Sequence, residues 1–100
     1  MFDLARVVGF DWDEGNARKS GDKHGVTQAE AEQVFLNEAL LLVDDVAHSA
    51  AEPRVHALGK TDAGRQLHVT FTLRQAGTRI RVISARDMNR KEGARYAQES

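Results

Sequence analysis

Residues 55–85 read VHALGKTDAGRQLHVTFTLRQAGTRIRVISA and contain three strand candidates, of which the second and third are rich in β-branched residues. These segments are 55–60, 67–74 and 79–85, and the links TDAG and QAGT separate them. Apolar segments of this length joined by short links that contain glycine are typical of β-hairpins. The pattern therefore predicts an antiparallel meander of three strands.

Alternation along the second and third segments gives this meander two unlike faces. With Arg74 opposite Arg79 across the turn, alternate side chains of the two strands fall on shared faces. The apolar face, expected to meet the core, is formed by Val69, Phe71, Leu73, Ile80, Val82 and Ser84. The polar face is basic and is formed by His68, Thr70, Thr72, Arg74, Arg79 and Arg81.

The residues before the meander predict a strand followed by two helices. An apolar, β-branched start at 7–11 is the strand candidate. Asp13 is the expected N-cap of a first helix that ends before Gly25. Thr27 and Glu30 have the spacing of a capping box, which predicts the start of a second, short helix.

Two further segments complete the predicted order of elements. The apolar run within 37–46 fits either a strand or an extension of the second helix, and 46–53 is polar and contains the only proline, as expected of a loop. Residues 84–87 resemble a capping box and predict the start of a terminal helix. The predicted fold class is α+β: an N-terminal strand and two helices, an antiparallel β-meander, and a C-terminal helix.

Length and composition indicate one globular domain over residues 1–100. The chain has a mass of 11.1 kDa, with 41% hydrophobic and 29% charged residues. It has no cysteine, which excludes disulfide scaffolds, thiol nucleophiles and thiolate metal sites. Neither a signal peptide nor an apolar run of roughly 20 residues is visible, so we expect a cytoplasmic protein without a membrane partner.

Charge is distributed unevenly along the chain. Residues 1–53 hold four Lys or Arg and eleven Asp or Glu, a balance of −7, while residues 54–100 hold ten and four, a balance of +6. A basic half suits a phosphate-rich ligand, because Lys and Arg release condensed counterions from nucleic acid. The other interpretation is that the acidic segments simply neutralise a basic sheet.

Few catalytic motifs are present. None of His24, His48, His56 and His68 stands in an HxH, HxxxH or HExxH spacing, which argues against a metal site. The chain also lacks GxSxG, GxxxxGK[ST] and GxGxxG, the common signatures of acyl transfer and nucleotide binding. No cofactor is therefore expected.

Cationic and polar side chains remain, and they suit RNA cleavage without a metal. RNA carries its own nucleophile, since a base can remove the ribose 2′-OH proton so that the oxygen attacks the adjacent phosphorus. His48 and Glu52 are the acid/base candidates, and Arg54 and Arg65 can stabilise charge on the phosphoryl oxygens. The other candidates for this surface are Lys23, His24, Arg79, Arg81 and Arg86.

Each of these assignments has a structural alternative. His48 and Glu52 can be loop residues that make local hydrogen bonds. Arg79 and Arg81 can belong to the solvated face of an antiparallel strand.

Several segments in register resemble the BrnT family of type II toxins. They are FDWDEGN (10–16), KHGV (23–26), HSAAEPR (48–54), GR (64–65) and IRVISAR (80–86). The resemblance runs over residues 10–96. It implies a small RelE-like ribonuclease of bacterial origin that inhibits growth by cutting RNA. It also implies a BrnA-type antitoxin that holds the toxin inactive and carries the DNA-binding domain, so that operator DNA is contacted only through the antitoxin.

The resemblance places the family's recurrent polar positions on eight residues of this chain. Of these, Arg65, Glu52 and Arg54 are expected closest to the scissile phosphate, with His48 and Lys23 nearby. His24, Arg81 and Arg86 are expected to contact RNA, and Arg79 joins them from the basic face of the meander.

Two other functions compete with RNA cleavage. A non-catalytic module whose cationic sheet face holds nucleic acid or an acidic protein would also bind RNA in a salt-sensitive way but would leave it intact. A transcription regulator or antitoxin is disfavoured because the chain has neither a helix-turn-helix pattern nor a disordered neutralising tail.

Overall fold

A mixed five-stranded sheet with α-helices on both faces makes up the fold, as seen in a computed structural model that describes residues 4–45 and 52–99. Within these ranges the order across the sheet is β1-β5-β4-β3-β2. The elements are β1 Gly9–Phe10, α1 Glu14–His24, α2 Gln28–Leu36, β2 Leu41–Asp45, β3 Arg54–Lys60, β4 Gln66–Arg74, β5 Arg79–Asp87 and α3 Arg90–Glu99. The α+β class and the closing helix are confirmed.

The predicted meander is β3, β4 and β5. Both of its pairs are antiparallel, and Arg74 lies opposite Arg79 at the β4–β5 turn as expected. Gln75, Ala76 and Gly77 all have positive φ in this turn. The strand predicted at 7–11 is shorter, since β1 has two residues, and it pairs with β5 in parallel.

A bulge in β5 changes which side chains face the core. Thr70 pairs with Ser84 but Phe71 pairs with Val82, so β5 has one extra residue between these two pairs. Beyond the bulge the alternation is reversed relative to the prediction. Ser84 therefore does not belong to the apolar face, and Ala85, fully buried, takes that place.

The structure decides between strand and helix for residues 37–46, and it places the start of the terminal helix later than the sequence predicts. Within 37–46, Leu41–Asp45 is strand β2, which pairs antiparallel with β3 and forms an edge of the sheet. The terminal helix was predicted to start at 84–87, which is wrong because β5 continues to Asp87. Instead, Asn89 and Glu92 exchange backbone-to-side-chain hydrogen bonds of 3.0 and 2.8 Å at the start of α3, the geometry of a capping box.

Helices α1 and α2 cover one face of the sheet. The predicted capping box of α2 is present, since Thr27 accepts from the Glu30 amide and Glu30 accepts from the Thr27 amide. Val34 of α2 is buried in the core, and the Phe35 ring meets the Phe71 ring edge-on with centroids 4.9 Å apart. Buried Asn16 fixes α1 by donating to the carbonyl oxygens that follow β1 and lie within β5.

The opposite face of the sheet, here called the open face, is largely polar, although the same register also places Leu41, Val43 and Leu58 on it. Strand register and alternation place on it Asp45, Arg54, His56, His68, Thr70, Thr72, Arg81 and Arg86. Helix α3 lies over one end of this face, where the Tyr96 hydroxyl donates to the Ala39 carbonyl oxygen at 2.5 Å. No helix in 4–45 or 52–99 combines the length and the apolar composition that crossing a lipid bilayer requires.

Candidate functional site

Arg65 sits where the turn after β3 enters β4, and its guanidinium joins three parts of the fold. Its Nε and Nη2 donate to the two carboxylate oxygens of Asp87 at 2.7 and 3.1 Å. Its Nη1 donates to the Gly25 carbonyl at 2.9 Å and lies 3.2 Å from Glu30 Oε2, while Nη2 also donates to the His24 carbonyl at 3.2 Å. Asp87, and secondarily Glu30, hold the pKa of Arg65 above its usual range.

The Arg65 contacts bring the end of α1 to the end of β5. Lys23 and His24 occupy the last turn of α1, and both are exposed. The pKa of Asp87 is lowered mainly by its hydrogen bonds to Arg65, with a smaller contribution from the charge of His24. Lys23, His24 and Arg65 therefore share one corner of the molecule.

Arg81 and Arg79 lie at the other end of β5. Arg81 forms ion pairs with Asp11 at 3.4 Å and with Asp13 at 3.0 Å, which fasten β5 to the start of α1. Arg79 lies so close to Gly9 that a Cβ on Gly9 would stand 2.7 Å from its Nη1. The Nε of Arg79 is buried and makes no hydrogen bond to the described residues.

The segment entering β3 carries the remaining predicted residues. Glu52 pairs with Arg74 at 3.0 Å, and both side chains are more than 40% exposed. Arg54 lies opposite Asp45 in the β2–β3 register. His48 lies outside the described residues.

Arg86 projects from the open face toward α3. Its Nη1 and Nη2 each donate to Glu92 at 2.8 Å, in a bidentate pair. This pairing with Arg86, together with the amide of Asn89, lowers the pKa of Glu92 to about 2. His68 Nε2 stands 3.6 Å from the same carboxylate, and burial lowers the pKa of His68.

Two histidines and an aspartate form a cluster that the sequence analysis did not select. His56 Nε2 is 3.0 Å from Asp45 Oδ2, and His56 Nδ1 is 2.9 Å from Thr70 Oγ1. The rings of His56 and His68 are in contact, with centroids 4.7 Å apart. The pairing of β3 with β4 carries a signal for this contact, since His68 falls two residues from the partner of His56.

The predicted residues are thus distributed over several places. Lys23, His24 and Arg65 meet at one corner; Arg54, Arg81 and Arg86 share the open face; and Glu52 pairs with an exposed arginine. Several of these pairs join the acidic half of the sequence to the basic half, including Glu30–Arg65, Glu52–Arg74 and Asp11–Arg81. The acidic segments therefore neutralise part of the basic sheet.

One protein family matches most of this chain. The family described as ribonuclease toxin, BrnT, of type II toxin-antitoxin system matches residues 12–92. The chain belongs to the BrnT family. The resemblance inferred from the sequence is confirmed, and membership implies a toxin with an RNA substrate and an antitoxin partner. A comparison of the chain with curated proteins finds no match.

The BrnT match includes every residue assigned to the site. All of Lys23, His24, His48, Glu52, Arg54, Arg65, Arg79, Arg81 and Arg86 fall within residues 12–92. The His56–His68 cluster lies in the same range. In the described part of the chain, no three His, Asp or Glu side chains are grouped so that they could hold a metal ion.

Proposed function

We propose that this BrnT chain is an endoribonuclease that cleaves RNA without a metal ion, acts in the cytoplasm, and blocks translation and growth. The family match over residues 12–92 is the observation that carries this proposal. The ribose 2′-OH serves as the nucleophile and attacks the adjacent phosphorus, which gives a 2′,3′-cyclic phosphate and a 5′-hydroxyl. The protein supplies a base for the 2′-OH proton and cations for the phosphoryl oxygens.

The open face and the Arg65 corner are the two surfaces that support this chemistry. Arg54 is the proposed clamp on the open face, where Arg86 is proposed to contact RNA, and Lys23 and His24 extend the cationic surface at the corner. Arg65 is proposed to act with them, because its bonds to the carbonyls of His24 and Gly25 hold that turn against the sheet. His48 and Glu52 are acid/base candidates from the segment before β3, with Arg79 and Arg81 further along β5.

A BrnA-type antitoxin is the proposed partner. Family membership implies a type II system, in which a protein antitoxin neutralises the toxin. The antitoxin, not this chain, is proposed to carry the DNA-binding domain and to bring the pair to operator DNA.

The proposal is tested by incubating the purified chain with a defined RNA in EDTA and mapping the ends of the products. We expect 2′,3′-cyclic phosphate and 5′-hydroxyl ends, and no cleavage of a 2′-O-methyl RNA of the same sequence, because methylation removes the nucleophile. Addition of Mg²⁺ is expected to leave the rate unchanged. RNA that binds but stays intact would favour the non-catalytic binding module, and 3′-hydroxyl ends would contradict attack by the 2′-OH.

A further inference from the structure

We infer that His56, rather than His48 or Glu52, is the general base of RNA cleavage, with Asp45 as its positioning residue and the Thr70 hydroxyl as the group through which it receives the proton. This inference rests on the proposed ribonuclease function. It concerns residues of the open face that the sequence analysis did not assign to the reaction.

The geometry is a row of carboxylate, imidazole and hydroxyl across three adjacent strands. Asp45 of β2, His56 of β3 and Thr70 of β4 are joined by contacts of 3.0 and 2.9 Å. An ionised carboxylate only accepts hydrogen bonds, so His56 Nε2 carries the hydrogen and Nδ1 has the lone pair. Thr70 then donates to Nδ1. A base held in one tautomer by a carboxylate, with a hydroxyl at its other nitrogen, is the arrangement that activates oxygen nucleophiles in other enzymes.

His56 is the most open member of the cluster. Its side chain is 27% exposed, that of Asp45 is 12% exposed, and Thr70 is 8% exposed. The carboxylate therefore stays close to its imidazole in a shielded position, while one edge of the ring can be approached from the open face. Shielding strengthens the carboxylate–imidazole interaction.

The charged groups around His56 are arranged so that it can accept a proton. His68 of β4 stacks on it, and burial lowers the pKa of His68, so this neighbour stays neutral. Beyond His68 lies Glu92 of α3, which Arg86 of β5 neutralises. On its own strand Arg54 lies two residues away on the same face, and Asp45 supplies the nearest negative charge.

The proposed step moves one proton through Thr70. The 2′-OH proton passes to Thr70 Oγ1 while the hydroxyl proton of Thr70 passes to His56 Nδ1, giving an imidazolium that Asp45 stabilises. The 2′ oxygen bonds to phosphorus, and the bond from phosphorus to the 5′ oxygen breaks. The 5′ oxygen takes a proton from water, and the imidazolium later returns its proton to solvent.

The decisive experiment compares the pH dependence of RNA cleavage for the full chain and for His56→Asn. A base must be unprotonated to act, so the wild-type rate is expected to rise with pH and then level off. His56→Asn is expected to cleave at least about 100-fold more slowly and to lose this rising limb. His68→Asn is the matched variant: it removes the stacked imidazole but is expected to retain a rising limb.

Asp45 and Thr70 are tested by variants that keep shape and change chemistry. Asp45→Asn removes the negative charge beside the imidazole and is expected to move the rising limb to lower pH, an effect that a purely structural role would not produce. Thr70→Val is expected to slow cleavage about as much as His56→Asn, whereas Thr70→Ser retains the hydroxyl and most of the rate.

Binding of a 2′-O-methyl RNA by fluorescence anisotropy shows whether each variant is folded, since an intact surface keeps the wild-type affinity. A folded His56→Asn chain with the wild-type rate and pH profile overturns the assignment of His56 and leaves the ribonuclease proposal standing. A wild-type chain that binds RNA and never cuts it overturns the ribonuclease proposal and the base together. If Thr70→Val cleaves as fast as wild type, the relay through the hydroxyl is wrong.

Discussion

Each of the three guanidinium nitrogens of Arg65 has an oxygen acceptor. The acceptors come from Asp87 at the end of β5, from Glu30 in the first turn of α2, and from backbone carbonyls at the end of α1. Only a planar, forked donor satisfies acceptors in these different directions at once. The sequence identified Arg65 as important from its cationic character, but its partners are 22 to 41 residues away and cannot be read from local pattern.

The fork of Arg65 can be tested by a substitution that keeps its charge. Arg65→Lys is expected to lower the free energy of unfolding by about 1–2 kcal/mol, because lysine cannot make the bidentate bond to Asp87 and reach the carbonyls as well. This value allows for screening, since the pairs are partly exposed. Urea unfolding measures it. Arg90→Lys, at the exposed start of α3, serves as the control and is expected to change stability by less than about 0.5 kcal/mol. Equal stability of wild type and Arg65→Lys would show that the forked hydrogen bonds of Arg65 do not stabilise the fold.

At the scale of elements, α3 is held to the sheet by Glu92. Its carboxylate accepts both Arg86 bonds and the Asn89 amide. The pKa of Glu92 is about 2 in the fold, below its usual 4.5, so its ionised form stabilises the native state fully above about pH 5. As pH falls toward 2 this contribution, about 2–3 kcal/mol, is lost.

Glu92→Gln should therefore reduce stability at pH 7, and its difference from wild type should shrink between pH 5 and pH 2. Urea unfolding at several pH values measures both effects. Glu99→Gln is the matched control: its carboxylate pairs with Arg95 near the end of the same helix but is 46% exposed. A gap between wild type and Glu92→Gln that stayed constant down to pH 2 would show that the carboxylate is not the group that titrates.

Two glycines distinguish the packing of α2 from that of α3. An added Cβ on Gly59 of β3 would stand 2.8 Å from Val34 Cγ1, so Gly59→Ala is expected to destabilise the fold by about 1–3 kcal/mol. Gly93 of α3 has its nearest neighbour, Gln66 Oε1, at 3.7 Å. Gly93→Ala is expected to stabilise the fold by up to about 1 kcal/mol, because alanine favours a helix interior. Thermal denaturation checks both signs, and a stabilised Gly59→Ala would contradict the close approach of α2 to β3.

Elements with local signals were predictable from sequence, and those decided by tertiary pairing were not. The capping box at Thr27 and the three meander strands follow from residue type and spacing over a few positions. The bulge before Ser84 needs the β4 register, and the apolar run that became β2 fits a helix equally well by periodicity. The Asp45–His56 contact could not be predicted for both of these reasons, since it requires β2 to be a strand and also requires its register with β3.

At the scale of the whole molecule, ion pairs within the fold engage part of the basic half of the sequence. Ten Lys or Arg lie in residues 54–100. Among them, Arg65, Arg74, Arg81, Arg86 and Arg95 pair with carboxylates of the described residues. An arginine that already has a carboxylate partner contributes little counterion release when RNA binds, because it must first give up that partner.

The RNA affinity of the molecule should therefore depend only moderately on salt. Each phosphate contact with single-stranded RNA contributes about −0.7 to the slope of log K against log salt, so about three to five contacts give roughly −2 to −3.5. Anisotropy with a 2′-O-methyl RNA over a KCl series measures this slope. Arg95→Gln, which removes a cation already paired on α3, is expected to leave it unchanged. A slope steeper than about −5 would mean that RNA opens the internal pairs and recruits their arginines, in which case the folded charge pattern would not describe the bound state.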